Sequence, residues 1–180
     1  PPREADKKCP MIGQFNHTAV QTLDSSPGLR MIAPMNEVRL TYRSGGPDDT
    51  VAWAAAWVKN LPDGTVIALH GDLGAGKTCF VRGLAAGLGI SGPIHSPTFT
   101  LVNEYRGPRN LFHLDLYRLA GPDDVWEIGI DQYLPGEGIT AIEWADRITA
   151  LLPADTLHVH LEYGENINQR VINVEPSGCK

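Results

Sequence analysis

Eight consecutive residues, Gly71-Asp72-Leu73-Gly74-Ala75-Gly76-Lys77-Thr78, have the types and spacing to do chemistry together. They fit G-x-x-x-x-G-K-[ST], the loop that cradles nucleotide phosphates. The glycines let successive backbone N–H groups turn toward phosphate oxygens, and a helix starting there adds a favourable partial charge. Lys77 is placed to reach the β- and γ-phosphates, and the Thr78 hydroxyl to bind Mg²⁺. Such a loop fixes nucleotide binding, not a reaction. Hydrolysis also needs a carboxylate near the metal and a group that orients water. Two carboxylates qualify. Glu143 closes the apolar run Ile139-Thr140-Ala141-Ile142, and Asp115 interrupts His113-Leu114-Asp115-Leu116-Tyr117. A buried carboxylate is expensive unless paired or directed at a metal. The structural alternatives are an Asp115–Arg118 salt bridge and a Glu143 that merely opens a loop. In Ser96-Pro97-Thr98, Pro97 keeps Ser96 extended, which makes a rigid hydroxyl-rich start to a strand and a place for a γ-phosphate sensor. The alternative there is an ordinary strand start capped by hydroxyls.

Elements on either side must position these groups. Thr65 to His70 reads as a buried strand, and Cys79 to Leu88 as a helix that stops at Gly89. Upstream, Val38, Leu40 and Tyr42 alternate with polar residues as a half-buried strand. Asp48, Asp49 or Thr50 can cap a helix that runs to Pro62-Asp63-Gly64, with Trp53 and Trp57 four apart as core rather than as a base-stacking platform. Downstream, strands are expected at Phe99–Tyr105, Leu111–Tyr117 and Ile139–Trp144. Helical segments are expected from Pro122 to Ile130 and from Arg147 to Leu152. Leu157–Leu161 and Arg170–Glu175 read as a terminal hairpin. Strands alternating with helices make an α/β sandwich, with the two terminal strands adding an antiparallel edge. His158 and His160 share a strand face; without a third ligand they read as solvated. Residues 1–35 mix Pro, Ser, Gly, Gln and Asn without a period and read as a disordered or loosely attached extension, ahead of a domain over 36–180.

Composition narrows the partners. The formal net charge is −6, and no Lys/Arg cluster appears, so direct high-affinity nucleic-acid binding is not expected. No apolar run approaches the ~18 residues of a membrane span. The opening residues lack a secretory signal's charged-then-apolar order. Three cysteines, widely spaced, suit a reducing cytoplasm better than a disulfide framework. Nothing matches the Asn-Lys-x-Asp element that selects guanine, so adenine is the expected base.

Four segments occur in order: the phosphate loop, Ser96-Pro97-Thr98-Phe99-Thr100-Leu101, His113-Leu114-Asp115-Leu116-Tyr117-Arg118, and Glu143-Trp144. Together they resemble the TsaE (YjeE) family of bacterial ATPases in tRNA threonylcarbamoyladenosine synthesis, over about Val38 to Val174. The resemblance implies a P-loop NTPase three-layer sandwich with a mostly parallel central sheet and an antiparallel edge. It implies an ATPase that uses ATP and Mg²⁺ and works with TsaB and TsaD. TsaD transfers the threonylcarbamoyl group to the adenosine beside the anticodon, so tRNA is met only through the complex. It also implies Leu73, Gly74, Ala75, Gly76, Lys77 and Thr78 as the phosphate cradle and Thr78 and Glu143 as Mg²⁺ ligands. Lys77, Asp115 and Glu143 would be catalytic, Thr98 would lie in a switch-like segment, and Pro47–Thr50 would sit near adenine. Residues 1–35 have no counterpart in the family pattern. The rival function is a small-molecule kinase. That would need an Arg-rich lid, whereas Arg82, Arg106, Arg109, Arg118 and Arg147 are scattered. A third possibility is a nucleotide-binding regulator without turnover.

Overall fold

The computed structural model describes residues 21–23, 39–119 and 122–177. One mixed sheet organises them. Its strands are β1 (Gln21–Leu23), β2 (Leu40–Ser44), β3 (Val66–His70), β4 (Val102–Tyr105), β5 (Leu111–Asp115), β6 (Ile139–Glu143), β7 (Leu157–Tyr163) and β8 (Arg170–Pro176). Their order is β1-β2-β8-β7-β3-β6-β5-β4. The four central strands, β7, β3, β6 and β5, are parallel. Antiparallel pairing begins outside them, at β4–β5 on one side and at β7–β8 and β8–β2 on the other. The terminal hairpin therefore reaches inward: β7 lies parallel beside the phosphate-loop strand, while β8 starts the antiparallel region that β2 extends.

Burial on both faces explains why β3 is an unbroken apolar run. Ile67 and Leu69 face α1 (Pro47–Val58) and α2 (Lys77–Gly87), in one core with Phe80, Leu84, Trp57 and Val58. Val66 and Ala68 face the opposite core, with Leu114, Ile142, Val125, Ile130 and Ile148. The opposite layer is made of α3 (Pro122–Glu127) and two 3₁₀ segments, Ile130–Gln132 and Ala145–Leu151. The result is a three-layer α/β sandwich. Trp53 and Trp57 do join the core, with ring centroids 5.8 Å apart, and Trp53 stacks on Tyr42 at 5.0 Å.

Several elements differ from the sequence expectation, each for a local reason. Helix α1 starts two to four residues early, at Pro47 behind Gly46, and no side chain caps it. Asp49 instead accepts from the Gly45 N–H and the Tyr42 hydroxyl, and Thr50 pairs with Ser44 at 2.7 Å. The strand expected over Phe99–Tyr105 begins only at Val102. Residues 97–101 fold into a turn closed by Leu101 N–H on Pro97 O at 2.6 Å, with Leu101 at φ 65°. The strand expected over Leu111–Tyr117 stops at Asp115. The helix after Pro122 ends at Glu127, because Gly129 adopts φ 70° and starts the 3₁₀ turn. His158 is half-buried rather than solvated. It joins a hydrogen-bonded row running from Asp146 to His70 Nδ1 (2.8 Å), from His70 Nε2 to His158 Nδ1 (2.9 Å), and from His158 Nε2 to Ser177 (2.9 Å). Of the segment 1–35, only Gln21–Leu23 falls within the described residues. It pairs parallel with β2 over Leu40–Tyr42; the remainder of that expectation lies outside them. No helix among the described residues is long and apolar enough to cross a membrane.

The α1–α2 contact depends on a residue without a side chain. A Cβ at Gly83 would lie 2.6 Å from both Ala54 Cβ and Val51 O. Alanine favours a helix interior by about 1 kcal/mol over glycine, but forced overpacking costs about 1–3 kcal/mol. Gly83→Ala should therefore lower the urea midpoint despite its better helix propensity; a raised midpoint would mean that the two helices separate freely.

The histidine row has a pH consequence. Burial lowers the His70 pKa, with partial compensation from Asp146, and burial together with His70 and His160 lowers that of His158. The unfolded chain then binds more protons than the folded one, so stability rises with pH across this window. It should fall as pH drops below about 6.5, the ordinary histidine value, down through the lowered folded values. His160 and Glu175 face the same row, and Asp146 closes it. Melting curves of wild type and His70→Gln/His158→Gln between neutral and mildly acidic pH should show a flatter dependence in the variant.

Candidate nucleotide site

The phosphate loop leaves the carboxyl end of β3, in the middle of the sheet, and turns into α2. Gly71 is needed because a Cβ there would meet Leu161 O at 2.3 Å, with the backbone at φ 134°. Gly76, at φ 103°, is the residue from which α2 starts. The first-turn N–H groups of α2 have no intrahelical partners, which makes this helix end a site for an anion.

Lys77 is only 5 % exposed. Its ammonium donates to Gly71 O at 2.6 Å and Asp72 O at 3.0 Å and sits 4.0 Å from the centre of the Trp144 ring. Burial lowers its pKa; Glu143 and then Asp115 pull it back up. The loop thus holds a desolvated cation between its own carbonyls and two carboxylates.

Those carboxylates lie opposite each other in register, at the ends of the adjacent parallel strands β5 and β6. His113, Asp115 and Glu143 alternate with Leu114 and Ile142, which fill the other core, so all three face the α2 side. Glu143 Oε1 accepts from the Thr78 hydroxyl at 2.7 Å and pairs with His113 Nε2 at 2.9 Å. His113 is fully buried, and its Nδ1 has no partner. Asp115, 2 % exposed, accepts from Ser96 Oγ at 2.9 Å, from Thr98 Oγ1, and from the Tyr117 N–H at 3.0 Å. It does not pair with Arg118, which lies over the Phe99 ring at 4.8 Å. The Ser96–Thr98 turn is therefore folded onto Asp115, which is why the strand starts late.

A cavity of about 380 Å³ unites these groups. Lys77, Thr78, Thr98, Asp115 and Glu143 all line it, as do Leu73, Gly74 and Gly76. Ala75, the remaining cradle residue, is buried behind the loop. Two further residues carry roles that the residue pattern did not reveal: Trp144, which lines the cavity, and His113, buried behind Glu143. Trp144 has φ 61°, a left-handed backbone that costs about 1–3 kcal/mol and carries its ring off the strand toward Lys77. Its place directly after Glu143 was the available signal. For His113, the signal was a titratable residue two positions before Asp115 in an apolar strand.

The residues fit a magnesium nucleotide. A hydroxyl and a carboxylate 2.7 Å apart are hard oxygen donors of the kind Mg²⁺ takes. Lys77, drawn onto loop carbonyls, is a cation in a shielded cleft beside a helix N-terminus. Among the described residues no group of three or more His, Cys, Asp or Glu is placed to hold a metal ion by itself, so a metal here would rest on the Thr78 hydroxyl and the Glu143 carboxylate.

Known proteins resemble this chain in sequence and in fold. The sequence model of the family described as threonylcarbamoyl adenosine biosynthesis protein TsaE matches residues 45–172. The chain belongs to the TsaE family. The tRNA threonylcarbamoyladenosine biosynthesis protein TsaE of Treponema pallidum is 42% identical over 128 residues, covering 71% of this chain and 95% of that protein. Its counterpart in Synechocystis is 49% identical over 122 residues, covering 65% and 77%. The crystal structure of Bacillus subtilis YdiB superposes with a TM-score of 0.67 at 35% identity, covering 78% of this chain and 86% of that one. The TsaE match spans the loop, Asp115 and Glu143, but stops short of residues 173–180 and starts after residue 44.

Proposed function

We propose that this protein is the ATP-hydrolysing subunit of tRNA threonylcarbamoyladenosine biosynthesis, acting in the cytoplasm with TsaB and TsaD. Residues 36–180 form its ATPase domain, and residues 1–35 are an extension not needed for turnover. The observation that carries the reading is the Thr78–Glu143 contact facing the Asp115–Ser96–Thr98 cluster across one cavity that also holds Lys77. Family membership supplies the pathway, since the relatives' names place them in threonylcarbamoyladenosine synthesis.

Bound Mg²⁺–ATP supplies the phosphoryl group and a divalent charge. Leu73 to Thr78 present backbone donors, and Lys77 adds a cation whose desolvation strengthens its attraction to phosphate. Thr78 and Glu143 are the metal-side oxygens, and His113 fixes the carboxylate from behind. Asp115 holds the hydroxyls of Ser96 and Thr98; it is the group to orient water and accept its proton, and Thr98 the group to sense nucleotide state. Pro47–Thr50 borders the site through Cys79, whose thiol donates to Pro47 O at 3.5 Å, on the side expected for adenine. With a net charge of −6 and no basic stripe, the chain reaches tRNA through its partners.

Nucleotide binding is checked by thermal shift. Mg²⁺–ATP at a hundredfold excess over its dissociation constant should stabilise the wild type by ~2.7 kcal/mol. Lys77→Ala should lose most of that shift. Glu143→Ala should weaken binding and hydrolysis together, whereas Asp115→Asn should keep affinity and lose turnover, a defect confined to the transition state. Equal small effects of both substitutions would return the two carboxylates to structural roles.

The function itself is tested by measuring phosphate release from the chain alone, then with TsaB and TsaD, with and without tRNA. Release should rise with both partners present, and the isolated chain should retain no tRNA at physiological salt. Turnover indifferent to the partners, or salt-sensitive tRNA binding by the chain alone, would overturn the assignment.

A further inference from the structure

We propose that Arg170 and Tyr163 are positioning residues that hold the phosphate loop from behind in its nucleotide-binding conformation. The inference rests on the ATPase reading above. It comes from a contact set that neither the loop motif nor the carboxylates explain. The Arg170 guanidinium donates from Nε to Ala75 O at 2.9 Å and from Nη2 to Gly74 O at 3.1 Å. The Tyr163 hydroxyl donates to Leu73 O at 3.0 Å. Three consecutive loop carbonyls are therefore tied to the β7–β8 hairpin.

The peptide unit is planar and trans, so a carbonyl and the N–H of the next residue point in opposite directions. Drawing the carbonyls of Leu73 and Ala75 toward the hairpin turns the N–H groups of Gly74 and Gly76 the other way, toward the cavity. The middle N–H, on Ala75, closes a turn onto Asp72 O at 3.1 Å. Glycine gives the loop the freedom to wrap phosphate, and the same freedom lets it collapse when empty. A clamp on the carbonyl side removes that freedom before nucleotide arrives, which lowers the cost of binding.

The clamp is itself preset. Arg170 and Tyr163 face each other across the last register pair of the hairpin, and the guanidinium lies over the Tyr163 ring at 4.3 Å. Nη1 donates to Ile167 O at 2.8 Å and Gln169 O at 2.7 Å. The turn is closed by Gly164 N–H on Gln169 O at 3.0 Å. Among the described residues no carboxylate lies within ion-pair distance of Arg170, so its donors serve backbone carbonyls. Planar, forked donors suit two adjacent carbonyls in a way that a lysine ammonium cannot copy. Neither side chain supports the core: Arg170 is half-buried, and Tyr163 is 50% exposed. Their loss should loosen the loop and spare the fold.

The test compares wild type with Arg170→Ala, Arg170→Lys and Tyr163→Phe. Two quantities are measured: Mg²⁺–ATP affinity by calorimetry, and hydrogen exchange of the nucleotide-free chain. Arg170→Ala should weaken affinity about tenfold or more, the order expected for lost hydrogen bonds from a charged donor. Arg170→Lys should recover part of this, and Tyr163→Phe should cost a few-fold. Exchange should quicken across residues 71–78 while β3 and the body of α2 keep wild-type protection. Affinity equal to wild type in all three variants overturns the proposal. So does a loss of affinity accompanied by equal loss of protection throughout the sheet, since that is a structural role only. If Arg170→Ala does not fold, Arg170→Lys and Tyr163→Phe decide by the same two readouts. A wild type that binds no Mg²⁺–ATP overturns the ATPase reading and this inference with it, whereas binding shared equally by wild type and variants overturns this inference alone.

Discussion

A buried ammonium governs the architecture of this molecule. Lys77 is almost fully withdrawn from water, and an unpaired charge in such a place would cost more than a small domain can offset. Two carbonyls of its own loop, the face of Trp144 and the carboxylates of Glu143 and Asp115 make the burial tolerable. They arrive from three places: the loop itself, the end of β5 with Asp115, and the end of β6 with Glu143 and the adjoining Trp144. The order of strands follows from that need: β5 and β6 carry the carboxylates beside β3, which delivers the loop.

The same charge balance explains the irregular pieces. Asp115 has no cation of its own in contact. It satisfies its lone pairs with hydroxyls from Ser96 and Thr98 and with the Tyr117 N–H. Residues 97–101 give up strand pairing to supply them, and Leu101 takes a left-handed backbone at φ 65°. Trp144 does likewise to reach Lys77. Departures from regular structure thus cluster around one cavity, while the apolar layers on both sides of the sheet stay regular.

Rigidity and freedom are divided between the walls of that cavity. Three loop carbonyls are tied to the β7–β8 hairpin, and Glu143 is held by Thr78 and by the buried His113. The Ser96–Thr98 wall is held mainly by hydrogen bonds to one carboxylate, and Phe99 beside it is 85% exposed. A fixed phosphate and metal side facing a lightly held hydroxyl side is an arrangement in which nucleotide state can alter one wall without disturbing the other.

By itself the sequence determined the loop, the strand before it and the helix after it, because those depend on local glycine geometry and an apolar run that only a buried central strand needs. It made Glu143 a metal-side candidate, since a carboxylate closing an apolar strand has few places to go in such a sheet, but left open a residue that merely opens a loop; the tertiary structure brought it to the Thr78 hydroxyl. It also made Asp115 and Thr98 candidates without saying that one would hold the other. Tertiary structure decided that contact, because it links residues 17 apart through a turn that no local pattern encodes. It decided that Asp115 avoids Arg118, that β7 lies parallel to β3, and that His158 joins a row with His70, 88 residues away. It also decided that Arg170, unremarkable at the start of the last strand, grips a loop 95 residues earlier. Local propensity reads φ, ψ and periodicity over a few residues. Which donor meets which carbonyl across the sheet is fixed only when the strands have been ordered.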